Sequence, residues 1–419
     1  MVNQDKGNPN TIFMKPGQTL IQGMVFTLGF LVSVNIAKAQ QPTVDSALMD
    51  RVSALEQQVA DQKPGESHFM VVGLATFGFV QTKTTFTPLG GASQSAKSNS
   101  LGDADRYELS PMLLWRHGTN FLIEFEPSFD GNTLGVNWAN ITYFAAPGLA
   151  IHAGYFVLPF GIYNKRLAAG WIDKVAPDPV GVDLPGSDFG IGVSGGMPLG
   201  NMKWSYDLSL TNGLQLLPDG EIQNVGIVDN NKNKTVTGRL ALLPFSNSSL
   251  EIGVSGLYGG VADAGSNYNN ANTTMYGVDL SFVKNIKPFL INLKGQYSRI
   301  KVNGQNYIKP TDSTAYTFDN KTTSAFAQIS IRPVTAENKI LKNLELAFRY
   351  VNYTTPGNSI WGQNYNEEDI GLDYWLTWRT VVKFTYAWTH SVNTDNIFVG
   401  DTGDVTKTNN IYLQFSIQF

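Results

Sequence analysis

The chain has 419 residues, a net charge of −4 at pH 7 and 15% charged residues, whereas soluble domains typically carry about 25%. Cysteine is absent, which excludes a disulfide scaffold, a thiolate metal site and cysteine-based catalysis. The acidic balance gives no overall basic signature, so we expect no nucleic-acid partner. The 41 glycines and the 12% of aromatic residues favour a structure built of strands and turns.

The first 39 residues have the pattern of an export signal. Two lysines precede an apolar stretch at 24–34, and Ala37 and Ala39 then form a small-residue cleavage pattern. The apolar stretch is shorter than the roughly 18 residues that a transmembrane helix needs. The pattern therefore predicts a signal peptide over 1–39 that is cleaved after Ala39.

Residues 40–66 contain the second helical pattern. Apolar residues recur there at spacings typical of a coiled-coil seam: Leu48, Val52, Leu55 and Val59. We predict a short periplasmic amphipathic helix. Two arrangements remain open for it, a small coiled coil between protomers or a helix that packs against the base of its own chain.

From residue 67 onward the hydrophobic period changes to two. In 411–419, for example, every odd-numbered residue is apolar, and Gln414, Ser416 and Gln418 lie between them. About sixteen such segments follow one another and predict strands. We place them near 67–83, 104–117, 119–130, 133–146, 148–160, 187–199, 202–213, 235–244, 249–260, 273–285, 288–302, 320–333, 342–354, 366–377, 380–390 and 407–419.

The connectors tend to alternate between short turns and long loops, as in an outer-membrane barrel. Two connectors break this order, the short one at 130–133 and the long one at 334–341, so fourteen or eighteen strands also remain open. A soluble β-sandwich is the main alternative. Lys and Arg are nearly absent from the apolar faces, where each costs about 2–4 kcal/mol at the bilayer midplane. We therefore predict an all-β fold, a transmembrane antiparallel β-barrel of about sixteen strands over 67–419 with a short N-terminal helix.

Two motifs beside the longest loop resemble a known family. Residues 154–161 (GYFVLPFG) precede that loop, residues 187–190 (SDFG) follow it, and the final strand ends in Phe419. With the exported chain and the N-terminal helix, these features resemble a Gram-negative outer-membrane porin, closest to the phosphate-selective porin O and P family. The resemblance covers most of 43–419. It implies a 16-stranded barrel in the outer membrane, usually a homotrimer, with its third long loop folded into the pore.

The resemblance also implies a function. A porin forms a water-filled channel for passive diffusion of small hydrophilic solutes or anions, and phosphate is one candidate here. Phe419 would be the membrane-insertion signal that the barrel-assembly machinery recognises, and outer-membrane lipid would surround the barrel. The alternative is a surface binding or structural protein with a plugged lumen.

We expect no enzyme, no cofactor and no metal site. His152 is the histidine expected to face the lumen from mid-strand, and no serine and carboxylate arrangement lies near it in the sequence. An outer-membrane lipase or protease is the enzymatic alternative.

Charged residues on the polar faces should line the lumen. Their signs are nearly balanced, so the narrowest point should decide ion selectivity. We select these pore and constriction candidates: Lys165, Arg166, Lys174, Arg116, Arg239, Arg349, Lys383, Glu124 and Glu126. Lys165 and Arg166 follow the PFG segment directly. They predict a modest anion preference if the 161–186 loop folds inward, and none if it lies outside.

Overall fold

A computed structural model describes residues 67–102, 107–224, 226, 228–229, 233–268, 270–309, 311–395 and 402–419. The predicted signal peptide at 1–39 and the predicted helix at 40–66 lie outside the described residues. Within the described ranges, none of the helices combines the length and the hydropathy needed to cross a bilayer.

Strands dominate the described chain. They are β1 (Ser67–Thr87), β2 (Gln94–Leu101), β3 (Tyr107–His117), β4 (Phe121–Phe129), β5 (Leu134–Ala146), β6 (Leu149–Val157), β7 (Ser187–Leu199), β8 (Met202–Thr211), β9 (Leu214–Leu216), β10 (Ile222–Asn224), β11 (Thr235–Leu243), β12 (Leu250–Gly260), β13 (Asn272–Ile286), β14 (Phe289–Val302), β15 (Tyr307–Ile308), β16 (Ala315–Tyr316), β17 (Lys321–Arg332), β18 (Leu344–Thr354), β19 (Gln363–Thr377), β20 (Thr380–Asn393) and β21 (Val405–Gln418). A short helix, α1 (Lys339–Asn343), precedes β18. The pairs β9–β10 and β15–β16 are small hairpins within loops.

The other seventeen strands form one closed antiparallel sheet. The first strand, β1, pairs with β21 along one edge. Along its other edge, the first part of β1 pairs with β3 and the last part pairs with β2. Because Phe79 is opposite Leu101 while Phe77 is opposite Tyr107, β2 and β3 occupy one position in the ring. The barrel therefore has sixteen strand positions, which confirms the predicted fold and excludes fourteen or eighteen.

The two connectors that broke the expected order belong to the expected rims. Residues 130–133 join β4 to β5 on the same rim as the long loops. The Asp130 carboxylate stabilises this short turn by accepting hydrogen bonds from the N–H groups of Asn132 and Thr133. The long connector before β18 contains α1 and lies on the rim of the short turns, where Asn338 caps α1 through its side chain. Connector length alone is therefore an incomplete guide to the rim.

The two faces of the barrel wall differ as the sequence pattern predicts. Leu372 and Phe125 point outward with 44% and 39% of their surface exposed, whereas the neighbouring Asp373 is fully buried. Aromatic pairs mark both ends of the outer face. The rings of Phe121 and Tyr143 lie 5.0 Å apart at the turn rim. Those of Tyr107 and Phe129 lie 5.9 Å apart at the loop rim. An apolar band with aromatic borders is the surface that a bilayer requires.

Candidate functional site: the lumen and its inward loop

The loop between β6 and β7, residues 158–186, turns into the lumen. Its entry is set by Gly161, whose φ of +63° suits glycine. The side-chain oxygen of Gln296 on β14 accepts hydrogen bonds from the N–H groups of Ile162 (2.8 Å) and Tyr163 (3.1 Å). A single π-helical turn, Tyr163–Leu167, follows. The PFG segment thus redirects the chain from the wall toward the barrel axis, as the resemblance implied.

Apolar side chains hold the loop against one part of the inner wall. Ile162, Tyr163 and Leu167 pack against two inward residues of the wall, Phe326 and Val351. Farther along, Trp171 packs against Trp375 and Val381. The four wall residues, Phe326, Val351, Trp375 and Val381, lie on the lumen-facing sides of their strands, where the alternation otherwise places polar residues. Burial of each such side chain contributes about 1.5–3 kcal/mol, so the attachment is strong.

A buried cation joins the loop to β18 and β19. Arg349 donates from Nε to Asp369 at 2.8 Å and from a terminal nitrogen to Glu367 at 3.0 Å. The same guanidinium lies 3.6 Å from the Asp173 carboxylate of the loop. The Lys383 ammonium donates to the Asp173 carbonyl oxygen at 3.3 Å. Each ion pair is shielded from water, so breaking one partner is costly.

A second charged cluster lies on β8, β11, β12 and β13. Arg239 donates from Nε to Asp279 at 2.9 Å and pairs with Glu251 at 3.0 Å. Glu251 also binds Arg166 of the loop. The adjacent loop residue, Lys165, binds Asp207 on β8. Both loop cations therefore have carboxylate partners on the wall.

The opposite wall, formed by β3, β4 and β5, is less covered by the loop, and we call it the uncovered wall. None of the ion pairs described above reaches β4 or β5, and Trp138 on β5 packs against the apolar cluster that contains Leu158 and Phe160 of the loop. Glu108, Glu124 and Glu126 are partly exposed there, and the Asn137 amide lies 3.5 Å from both Glu108 and Glu126. We call these three glutamates the acidic stripe.

A cavity of about 560 Å³ separates the loop from the uncovered side. Its lining includes Glu108, Ser128 and Asn137 on the wall, and Asp178 on the loop. Asp130 lines it at the loop rim, where hydrogen bonds from the Thr133 hydroxyl and from backbone N–H groups lower the pKa of its carboxyl to about 2. Polar and apolar side chains share the lining, and the carboxylates of Glu108, Asp130 and Asp178 make this space suitable for water and hydrophilic solutes.

The structure separates the sequence-selected residues into two groups. Lys165 and Arg166 lie on the loop and are paired with wall carboxylates, and Glu124 and Glu126 are partly exposed on β4. Arg116 lies near the turn rim, with a terminal nitrogen 3.5 Å from the Thr119 carbonyl oxygen. Four others are buried or held in ion pairs: Lys174, Arg239, Arg349 and Lys383. Of these, Lys383 also contributes to the lining of the cavity. The alternation of the strands predicted that Arg239, Arg349 and Lys383 face inward, but it could not reveal which of them the loop covers.

Sequence reasoning missed the residues that fasten the loop. Gln296 and Trp375 alternate with their neighbours like any wall residue, so a single sequence offers no signal for Gln296. Trp375 carried a usable signal, because a large apolar side chain on a polar face requires an apolar partner in the lumen. Among the described residues, no group of three metal-ligating side chains is arranged around a common point.

No protein-family model and no curated protein matches the sequence. Two solved structures resemble the barrel. The anion-selective porin from Comamonas acidovorans matches with a TM-score of 0.51 and 13% identity, over 84% of this chain and 100% of that chain. The outer membrane channel DcaP of Acinetobacter baumannii matches with a TM-score of 0.51 and 12% identity, over 85% of this chain and 100% of that chain. These likenesses show a porin-type barrel fold. The phosphate-selective O and P family is not confirmed.

Proposed function

We propose that this chain forms a water-filled channel in the outer membrane of a Gram-negative bacterium, through which small hydrophilic solutes diffuse passively. One observation carries the proposal. The inward loop is fastened to one side of the wall by Gln296, Arg349 and Trp375. The other side borders the cavity through Glu108, Ser128 and Asn137. A fixed loop on one side and a wall with polar side chains on the other would define a constriction for hydrophilic solutes.

We propose no catalytic role, since catalysis needs a nucleophile or acid and base pair within hydrogen-bond reach. His152 on the inner wall packs edge-on against Phe156, with their ring centroids 4.5 Å apart. An aromatic contact of this kind supports a packing role for His152. The proposed partners are outer-membrane lipid, the barrel-assembly machinery and two further copies of the chain in a homotrimer.

The charges at the constriction support a weak preference for cations. Lys165 and Arg166 are each paired with a wall carboxylate, so their net contribution is small. Among the described residues, Arg116 near the turn rim is the one Lys or Arg on the three strands of the acidic stripe. The sequence predicted an anion preference on the condition that the loop folds inward, and the loop does fold inward. However, Lys165 and Arg166 are paired with carboxylates, so they do not supply the free positive charge on which that prediction depended. Phosphate preference would require Lys165 and Arg166 to act as free charges.

Single-channel recording in planar bilayers tests the proposal. The absence of cysteine in the chain makes each introduced cysteine the sole target of thiol reagents. Ser128→Cys on the uncovered wall should react with a charged methanethiosulfonate and lose conductance. The matched control is Ala347→Cys, which also faces inward but is fully buried under the loop, and its conductance should not change.

Two results would contradict the proposed passage. Equal block of both cysteine variants would mean that the loop does not cover the Ala347 side. No conductance from correctly folded wild-type protein would favour the alternative function, a surface binding or structural protein with a plugged lumen.

A further inference from the structure

The turn rim of the barrel is uneven in charge. The turns at 118–120, 147–148, 200–201 and 244–249 contain no Lys, Arg, Asp or Glu. Cations are concentrated instead at three turns: Lys287 between β13 and β14, Lys339 and Lys342 between β17 and β18, and Arg379 between β19 and β20. Lys284 lies nearby in the last residues of β13. These three turns contain one acidic residue, Glu337. We call these five cations the basic sector. It spans neighbouring strands of the sheet, on one part of the rim.

The lysines of the basic sector face solvent. Lys284, Lys287, Lys339 and Lys342 are all exposed. Among the described residues, no carboxylate lies within ion-pair distance of these four lysines. Their charges are therefore available to an external anion.

Large apolar side chains are exposed beside these cations. In α1, Ile340 is 61% exposed and Leu341 is 51% exposed, between Lys339 and Lys342. At the next turn Trp378 is 52% exposed, and the Arg379 guanidinium lies 4.0 Å from its ring centroid. Ile286 and Phe289 pair across the first turn and are also exposed. Apolar side chains with adjacent cations are typical of segments that lie in a membrane interface.

We infer that the basic sector binds the headgroup phosphates of anionic phospholipid in the periplasmic leaflet of the membrane. The short turns of such barrels lie on the periplasmic side, so the sector is at the level of those headgroups. The lysine stems lie along the apolar surface while their ammonium groups reach the phosphates. Ile340, Leu341 and Trp378 occupy the boundary with the acyl chains. A cell-wall polymer would offer anions but no apolar phase for these side chains, which favours lipid.

This inference requires a barrel inserted in the membrane, and it does not require a conducting one. Lipid binding is measured by native mass spectrometry of the purified full chain in neutral detergent. The protein is titrated with phosphatidylglycerol and, separately, with phosphatidylcholine. The wild type should bind phosphatidylglycerol more tightly. The advantage should shrink as ionic strength rises, because salt screens exposed charges.

The test variant replaces the four lysines, Lys284→Gln, Lys287→Gln, Lys339→Gln and Lys342→Gln. It should lose phosphatidylglycerol affinity by about tenfold or more, with little change toward phosphatidylcholine. The matched control removes four lysines near the loop rim, Lys83→Gln, Lys97→Gln, Lys301→Gln and Lys309→Gln, and should keep the wild-type affinity. Heat-modifiable migration verifies that both variants are folded, and their conductance should equal that of the wild type.

A second variant, Ile340→Ser with Leu341→Ser, changes only exposed side chains and should also weaken phosphatidylglycerol binding. Equal binding of the two lipids by the wild type would overturn the inference, as would equal losses in the test and control variants. Loss of binding to isolated peptidoglycan in the test variant, with lipid binding intact, would assign the sector to the cell wall and overturn the lipid assignment.

Discussion

The guanidinium of Arg349 on β18 lies 3.6 Å from the carboxylate of Asp173 in the inward loop. It also binds Glu367 and Asp369 on the neighbouring strand. One fully buried cation therefore joins the loop to two wall carboxylates. Without it, three carboxylates would be brought together in the lumen with no guanidinium between them, and the loop would lose its ionic contact with this part of the wall.

Arg349→Met should destabilise the barrel by about 3–5 kcal/mol, because removing one member of a buried ion pair leaves uncompensated charge. The temperature at which folded migration is lost in gel electrophoresis should fall, and open-channel current noise should rise. The control is Arg299→Met on the outer face, where the arginine has no ion pair among the described residues, and it should change neither quantity. An unchanged Arg349→Met variant would mean that the loop is held by packing alone.

Gly161→Ala should displace the start of the inward loop. Gly161 has a φ of +63°, and an added Cβ would overlap the Gln296 carboxamide that binds the loop backbone. Gly200→Ala is the matched control, since Gly200 has a φ of +60° but no atom within 4 Å of an added Cβ. Both variants place an alanine at a similar positive φ, so they have similar backbone strain. A change of single-channel conductance in Gly161→Ala alone is therefore due to the overlap with the Gln296 side chain. The same conductance in both would show that the loop entry tolerates the methyl group.

Phe125→Arg should impair membrane assembly, because it places a charge against hydrocarbon at a cost of about 2–4 kcal/mol. Glu124→Arg should assemble normally, since Glu124 faces the hydrated lumen. Surface levels and heat-modifiable migration compare the two variants. The alternation of the strand places Asp373 on the lumen side as well, so on that ground alone it should also accept an arginine. Its full burial among lumen groups makes it unsuitable, and we expect Asp373→Arg to impair folding. Equal defects at positions 124 and 125 would contradict the assigned faces.

Lys165→Gln with Arg166→Gln should shift the reversal potential in a salt gradient toward cations. The double variant removes the lysine partner of Asp207 and leaves Glu251 with Arg239 as its remaining cation, so the constriction, where fields are focused, becomes more acidic. Glu124→Gln with Glu126→Gln should shift it in the opposite direction. Lys83→Gln with Lys97→Gln, on the exposed β1–β2 hairpin, is the control and should leave the potential unchanged. If neither constriction variant moves the potential, the filter lies elsewhere.

Deletion of Phe419 should reduce the amount of barrel in the outer membrane. The Phe419 backbone exchanges two hydrogen bonds of 3.0 Å with Gly73, and its ring lies over the Gly73 Cα. The deletion removes both the barrel closure at this point and the proposed signal for the assembly machinery. Phe419→Tyr keeps the ring and the backbone and should assemble normally. Wild-type levels of the deletion variant would remove the C-terminal residue from the assembly mechanism.

The sequence by itself determined the strands and their faces. Alternation with a period of two depends only on neighbouring residues, because successive side chains of a strand point to opposite sides. Leu372 and Asp373 therefore had opposite faces before any pairing was known. The same reasoning missed β2, whose residues 94–101 are nearly all exposed. A strand with no apolar face has no hydrophobic period to detect.

Only the tertiary structure decided which lumen charges meet water. Arg166 and Glu251 are 85 positions apart, and Asp173 and Lys383 are 210 positions apart. No local pattern can pair residues so far apart, because their meeting depends on barrel closure and on the path of the loop across the lumen. Contacts with that path bury Arg349 and Lys383, whereas Glu124 and Glu126 stay partly exposed. The alternation of the strands predicted only that all four point inward, and the position of the loop decided how far each is buried.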